Sequence, residues 1–394
     1  MTARQKIKLT CFSLEGLNSF ATVLYFNYLY FLMRDRFGFD NKHNLALASI
    51  LGLIYAIAAW QTGKFAQRRG YFNSLKAGFV VMAIGFMLGF AGSHIRSAPA
   101  EIIAAAIGTV GMCFIWPPLE ALVSDGEDAT GLPRVVGIYN VVWAITNAIA
   151  YFMGGSLIES FGYGIIFTVP LVMMFGMLGL TFWLQRHAAE MARAALAQMD
   201  AAPEPHQPAS PRAKAFLRMA WVANPFAYIA IQTLIAVIPG IAAKFHLSTM
   251  AAGFICTLWC FVRMGAFAAL WQWTGWHYRF RWLITSFAIL IASFAAILMS
   301  PNLAVLIVAQ IFFGGAIGLM YYSSLFYSMD AGDTRGEHGG IHEAAIGLGN
   351  CAGPAIGAAA LQFLPQYANS GALAVSILLL FGFGGLLAIG KAAK

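Results

Sequence analysis

Twelve apolar runs, each long enough to cross a bilayer as a helix, constrain this chain of 394 residues more than any other feature. A spanning helix needs roughly 20 apolar residues. Runs of that length lie near 9–33, 43–62, 73–93, 99–122, 134–158 and 162–184, then near 215–241, 247–273, 281–299, 302–328, 338–363 and 369–390. In lipid every backbone N–H and C=O must be satisfied within the protein, so such runs become helices. The chain is 60% hydrophobic and 10% charged, against about 25% charged for an ordinary soluble domain. The expectation is an all-α membrane protein of twelve transmembrane helices. The first run holds Glu15 and Asn18 and lacks a small-residue cleavage site, so it reads as a span and not as a signal peptide.

Basic residues set the orientation. With the amino terminus inside, eighteen of the 24 Lys and Arg residues fall in cytoplasmic segments. Five fall on the opposite side (Arg34, Arg36, Lys42, Arg96, Lys244), and Arg263 lies inside a run. Both termini are expected in the cytoplasm of a multi-pass protein of the cell inner membrane. The net charge of +8 is then explained by anionic headgroups and needs no nucleic acid. The five cysteines lie inside runs without metal-ligand spacing, so neither a disulfide framework nor a metal site is expected.

The runs form two sets. Between them, Arg186 to Asp200 is Ala-rich with mixed charge and reads as a surface helix, and Ala201 to Arg212 carries four prolines and reads as a flexible linker. This divides the chain into a six-helix half at 1–184, a cytoplasmic linker at 185–214 and a second half at 215–394. The halves echo one another. Gly63-Lys64-Phe65-Ala66-Gln67-Arg68-Arg69-Gly70-Tyr71 is matched by Ala268-Ala269-Leu270-Trp271-Gln272-Trp273-Thr274-Gly275-Trp276. Gly108, Gly111 and Trp116-Pro117-Pro118 correspond to Gly315, Gly318 and Tyr321-Tyr322-Ser323-Ser324. Asn140, Asn147 and Gly154 correspond to Glu343, Asn350 and Gly357, each set spaced by about two helical turns and so on one face. A duplicated set of spans predicts two pseudo-symmetric halves with a site between them.

On these residues the chain resembles the major facilitator superfamily over nearly its whole length. Gly63 to Tyr71 is similar to that family's loop signature Gly-x-x-x-Asp-Arg-x-Gly-Arg, with Gln67 in place of the acidic residue and Tyr71 in place of the last basic one. The resemblance implies a cytoplasmic latch, here weakened because Gln67 cannot form an ion pair, and it assigns Gln67 and Arg68 to gating. Gly349-Asn350-Cys351-Ala352-Gly353-Pro354-Ala355-Ile356-Gly357-Ala358 is similar to the family's exporter signature, but stands in the eleventh run where exporters carry it in the fifth.

Ionisable groups inside a membrane are costly and face a cavity or a partner. Glu15 and Asn18 share a face of the first run, which lines the central cavity in the family, so the resemblance implies substrate or proton binding; an interhelical hydrogen bond is the alternative. His338 and His342, at i and i+4, share a face. Glu343 points about 100° away. A carboxylate in a dry cavity and a histidine both suit proton loading, so Glu343, His342 and Glu15 are the candidate proton carriers; the histidine pair also permits a metal, but no further ligands accompany it. Arg263 demands an anion, from Glu15, Glu343 or a substrate. Glu120 follows Trp116-Pro117-Pro118-Leu119 and reads as a gating residue or a partner of Arg134. Trp116, Asn140, Trp143, Tyr321, Tyr322 and Asn350 complete the candidate substrate set. No nucleotide-binding signature, nucleophile-base pattern or cofactor motif is evident.

The expectation is a monomeric, non-enzymatic secondary active transporter that moves a small organic solute, anionic if Arg263 holds it, by alternating access in proton-coupled symport. A proton-driven exporter of hydrophobic compounds and a non-transporting membrane receptor or enzyme are the alternatives.

Overall fold

The computed structural model describes residues 3–124, 127, 131–196, 210–331 and 337–392; within these, the side chains of 3–4, 132–133, 189–196, 329–342 and 391–392 lie outside the description. All regular structure among the described residues is helical. The first half comprises α1 (Ala3–Phe37), α2 (Asn41–Arg69), α3 (Tyr71–His94), α4 (Ala98–Cys113), α5 (Trp116–Ser124), α6 (Leu132–Phe161) and α7 (Ile165–Leu196). The second comprises α8 (Pro211–Lys244), α9 (Thr249–Ile255), α10 (Leu258–Gln272), α11 (Phe280–Leu298), α12 (Leu303–Ala331), α13 (Glu337–Phe363) and α14 (Ser370–Ala392). Among the described residues two spans are broken, α4 with α5 and α9 with α10, so their fourteen helices make twelve crossings. An even number of crossings brings the first and last helical residues to one end of the bundle, the terminal end; the other is the far end.

Eleven crossings among the described residues are long and apolar enough to span a membrane, and α1 is not among them. Its polar residues explain why. Glu15, Asn18, Ser19, Thr22 and Asn27 are all buried, so α1 turns them to other helices rather than to lipid. Large apolar side chains are exposed elsewhere instead, among them Leu53, Ile57, Val172, Phe175, Leu380 and Phe381, where lipid is their natural solvent.

Two boundaries differ from the sequence expectation. The segment expected as a separate surface helix continues α7 as far as Leu196, because nothing between Trp183 and Leu196 breaks a helix. The second half starts at Pro211, capped by the Ser210 hydroxyl on the Ala213 amide, rather than at residue 215.

The halves meet along two glycine seams. A Cβ on Gly52 would stand 2.4 Å from the Asn350 carbonyl carbon, and one on Gly347 would stand 2.5 Å from the Ala56 amide, so α2 and α13 touch backbone to backbone. On the other side Gly155 of α6 lies against Thr249, whose carbonyl oxygen would be 2.2 Å from an added Cβ. Polar bonds reinforce the far end. The Glu159 carboxylate accepts from the Met250 amide (2.8 Å), Lys42 donates to Gln362 (3.0 Å), and Gln232 donates to the Tyr30 hydroxyl (2.9 Å).

Candidate substrate and proton site

The breaks in two spans aim the site residues. Pro117 and Pro118 have no N–H, so the carbonyls of Cys113 and Phe114 lose their helical donors. Thr62 of α2 donates to the Cys113 carbonyl (2.8 Å), and Ser74 of α3 donates to that of Phe114 (2.8 Å). These bonds allow α5 to start afresh at Trp116 and to turn Trp116 and Glu120 inward. The second break, after Ile255, frees that residue's carbonyl, which accepts from Gln310 of α12 (2.9 Å). From there α10 carries Trp259 and Arg263 to the bundle axis. Thr62→Val removes the donor and leaves a buried carbonyl unpaired. The expected loss is about 1–3 kcal/mol, measured as a lower unfolding temperature in detergent, with Thr62→Ser restoring it.

Between the halves lies a cavity of about 170 Å³. Its walls come from α1, α2, α4, α5 and α6 on one side and from α8, α10, α12 and α13 on the other; none of its described lining residues belongs to α3, α7, α11 or α14. Arg263 dominates it. The residue is 4% exposed, lines the cavity, and makes no salt bridge among the described residues; its Nε has no hydrogen-bond partner there. The guanidinium instead sits between two indoles, 4.3 Å from the Trp143 ring centroid and 5.1 Å from that of Trp259. Two aromatic faces stabilise a desolvated cation by about 2 kcal/mol or more each at best. Its Nε–H, without a partner among the described residues, remains available to an anion. Trp143, from the opposite half, also stacks on Tyr321 at 5.0 Å and 15°.

The carboxylates occupy a second region. Glu343 is 5% exposed, lines the cavity, and among the described residues accepts one hydrogen bond, from Tyr55 of α2 across the seam. Glu120 lines the cavity as well, and Tyr228 stands within electrostatic range of Glu343, Arg263 and Glu120. Glu15 is fully buried behind the wall and accepts three bonds, from Tyr139 (2.8 Å), Ser19 (2.8 Å) and the Trp116 indole (3.3 Å). Three donors offset much of the cost of burying a charge. Glu343 has one described donor, and so is the less compensated of the two.

The candidate residues therefore divide. Trp116, Glu120, Trp143, Arg263, Tyr321, Glu343 and Asn350 line one cavity. Glu15 and Asn18 are buried outside its lining. Asn140 is buried on α6 with an unpartnered Oδ1, and Tyr322 packs on Phe267 and Trp276, so neither faces the cavity. Arg263 pairs with neither Glu15 nor Glu343 among the described residues; two indoles flank it where a carboxylate was expected. Glu120 does not pair with Arg134 among the described residues: it turns into the cavity, while Arg134 is exposed at the start of α6. Gln67 and Arg68 are exposed at the end of α2. The close cross-half approach at that end involves Gly137 and Trp271 instead. Of the Glu343, Asn350 and Gly357 face, the first two reach the cavity and Gly357 packs on Leu45 and Val375. The side chains of His338 and His342 lie outside the described residues.

Sequence reasoning missed Tyr55, Tyr139 and Tyr228, which are three of 14 tyrosines and carry no local mark. It also passed over Glu101, fully buried in the first turn of α4, although a carboxylate at the head of an apolar run was a signal.

A cavity between two halves of six crossings each, walled by the same crossings of each, is the geometry on which the sequence comparisons bear. The sequence profile of the Major Facilitator Superfamily matches residues 11–354. The chain belongs to this superfamily. Its fold is similar to that of the human organic anion transporter MFSD10 (TETRAN), at 14% identity and a TM-score of 0.71, over 98% of this chain and 100% of that one. It is equally similar (TM-score 0.71, 15% identity) to a bacterial homologue of the human drug peptide transporters PepT1 and PepT2, with 100% of both chains covered. A structure described as giving insight into substrate recognition in proton dependent oligopeptide transporters matches at 15% identity and a TM-score of 0.71, over 99% of this chain and 100% of that one. No curated protein matches the sequence. As a superfamily member the chain is a multi-pass membrane transporter.

Proposed function

We propose that this superfamily member is a secondary active transporter that moves a small organic anion by alternating access, in symport with protons. The observation that carries the reading is Arg263, a buried cation lining the central cavity with no carboxylate partner among the described residues. Leaving a charge unpaired in such a place is expensive unless a ligand completes it. The ligand's flat or apolar part has the stacked rings of Trp143 and Tyr321 to lie against. The cavity is close in size to an engineered protein cavity of about 150 Å³ that binds benzene, which favours a small solute. Glu343 is the proton carrier: it faces the same cavity, is nearly dry and is held by one tyrosine of the opposite half, so its charge state is tied to the α2–α13 seam. Glu15 is a second carrier, fully buried and held by three hydrogen-bond donors. The organic anion and proton dependent transporters with the same fold are consistent with this reading. The distribution of basic residues supports an inner-membrane setting with both termini cytoplasmic, and a single chain contains the whole site.

The test is uptake in proteoliposomes under an imposed inward pH gradient, with a panel of small carboxylates and their uncharged amides. Accumulation of carboxylates but not of their amides is expected. Accumulation that ignores the pH gradient, or transport of apolar compounds with no anionic member taken up, overturns the proposal.

A further inference from the structure

A column of buried polar groups runs behind the cavity wall, inside the first half. Glu15, Asn18, Thr22 and Tyr25 fall within an arc of about 80° on α1, at 100° per residue, and climb about 15 Å along it. All four are buried. Among the described residues Asn18 has no partner for either side-chain atom, and neither Thr22 Oγ1 nor the Tyr25 hydroxyl has one. Within electrostatic range of Tyr25 stands Glu101 of α4, 0% exposed, with both carboxylate oxygens unpartnered. No basic side chain pairs with Glu101 among the described residues. Around Tyr25 the remaining walls are apolar, Phe86 of α3 at 5.1 Å and Phe167 of α7 at 5.5 Å. Tyr30, the other titratable group near it, is already bonded to Gln232.

Orphaned buried polar groups are uncommon, and ordered water is their usual partner. Here four residues that carry them, Glu101, Tyr25, Thr22 and Asn18, follow one another from near the far end down to Glu15. Successive groups on one helix face are about 5–6 Å apart at their Cβ atoms, roughly two hydrogen bonds of about 2.8 Å, the spacing that a single bridging water between neighbours on α1 requires. We propose that Glu101, Tyr25, Thr22 and Asn18 form a hydrated proton path that connects the far end of the first half to Glu15. A proton taken by the Glu101 carboxylate passes by hydrogen-bond exchange along the waters and the hydroxyls of Tyr25 and Thr22, each accepting one proton as it releases another; the Asn18 amide keeps its own protons and orients the water beside it, and the proton comes to rest on Glu15. The path is distinct from the substrate route: of these residues only Thr22 lines the cavity. It gives Glu15 access to the far side without opening the halves. The idea rests on the proton-coupled reading, but its test needs no solute.

Two measurements decide it, both on the full chain in lipid. In radiolytic hydroxyl-radical footprinting, bound water labels buried side chains beside it. Tyr25 is expected to be oxidised, whereas Tyr28, equally buried but donating to the Tyr151 carbonyl, stays unlabelled. Label on Tyr25 no higher than on Tyr28 overturns the path. The second uses Trp116, whose indole bonds Glu15, as a reporter: its fluorescence is taken as the difference between the native protein and Trp116→Phe. After a pH jump on the far side of oriented proteoliposomes, Glu101→Gln and the near-isosteric Thr22→Val are expected to slow the Trp116 response at least tenfold. Glu101→Asp is expected to recover it, and Glu15→Gln to abolish it. Unchanged rates in Glu101→Gln and Thr22→Val, or a response that survives Glu15→Gln, overturn the proposal. Loss of solute uptake in other variants leaves these readouts untouched.

Discussion

Arg263→Gln is expected to weaken binding of the transported anion by roughly two to three orders of magnitude while leaving the folded protein as stable as before, or more so. The two effects have one cause. Truncating one side of a buried charge pair costs about 2–5 kcal/mol, and each 1.4 kcal/mol is tenfold in affinity. In the ligand-free protein, however, the guanidinium has no anionic partner among the described residues and an unsatisfied Nε. Removing it there relieves a desolvated charge and breaks no ion pair. Arg263→Lys separates charge from shape: an ammonium keeps the sign but loses the planar contact with Trp143 and Trp259 and the forked donors. Its affinity should fall between the two. Binding isotherms with a small carboxylate, together with thermal unfolding of the same samples, check both halves. A destabilised Arg263→Gln protein with unchanged affinity would make Arg263 a structural residue.

Glu343→Gln is expected to abolish pH-gradient-driven accumulation and to leave solute exchange between equal concentrations intact. Gln keeps the size and an acceptor for the Tyr55 hydroxyl, so the α2–α13 contact survives. What it cannot do is gain and lose a proton. A carrier so changed still reorients with its solute bound but no longer draws on the gradient. The pair of assays is decisive because misfolding would remove both activities, whereas loss of coupling removes only one. If accumulation persists in Glu343→Gln and disappears in Glu15→Gln, the coupling site is Glu15.

These expectations depend on contacts that were unevenly visible in the chain. On sequence the proline pair at 117–118 stands only as part of the internal repeat, although two residues without N–H are a local signal for the break where α4 gives way to α5. That the freed carbonyls of Cys113 and Phe114 are met by Thr62 and Ser74 was not visible, since nothing local marks one threonine or serine among many. Arg263 was recognisable as a functional residue because an arginine in an apolar run always demands an explanation. Its neighbours were not: two carboxylates were the obvious partners, and two tryptophans took the place. Glu15 shows the same division, with its importance legible and its burial behind the wall, held by Tyr139, Ser19 and Trp116, undisclosed.

The sequence by itself determined the twelve crossings, their helical character and the two-half plan. Lipid offers no hydrogen bonds, so a run of about 20 apolar residues has one way to satisfy its backbone. It also determined which buried charges exist. Only the tertiary structure decided which of them meet: the rotation of each helix about its axis follows from lateral packing, here from seams such as Gly52 on Asn350 and Gly155 on Thr249. Small residues let the backbones touch, and that close approach turns Arg263, Glu343 and Glu120 into one cavity while leaving Glu15 and Glu101 on a separate buried column.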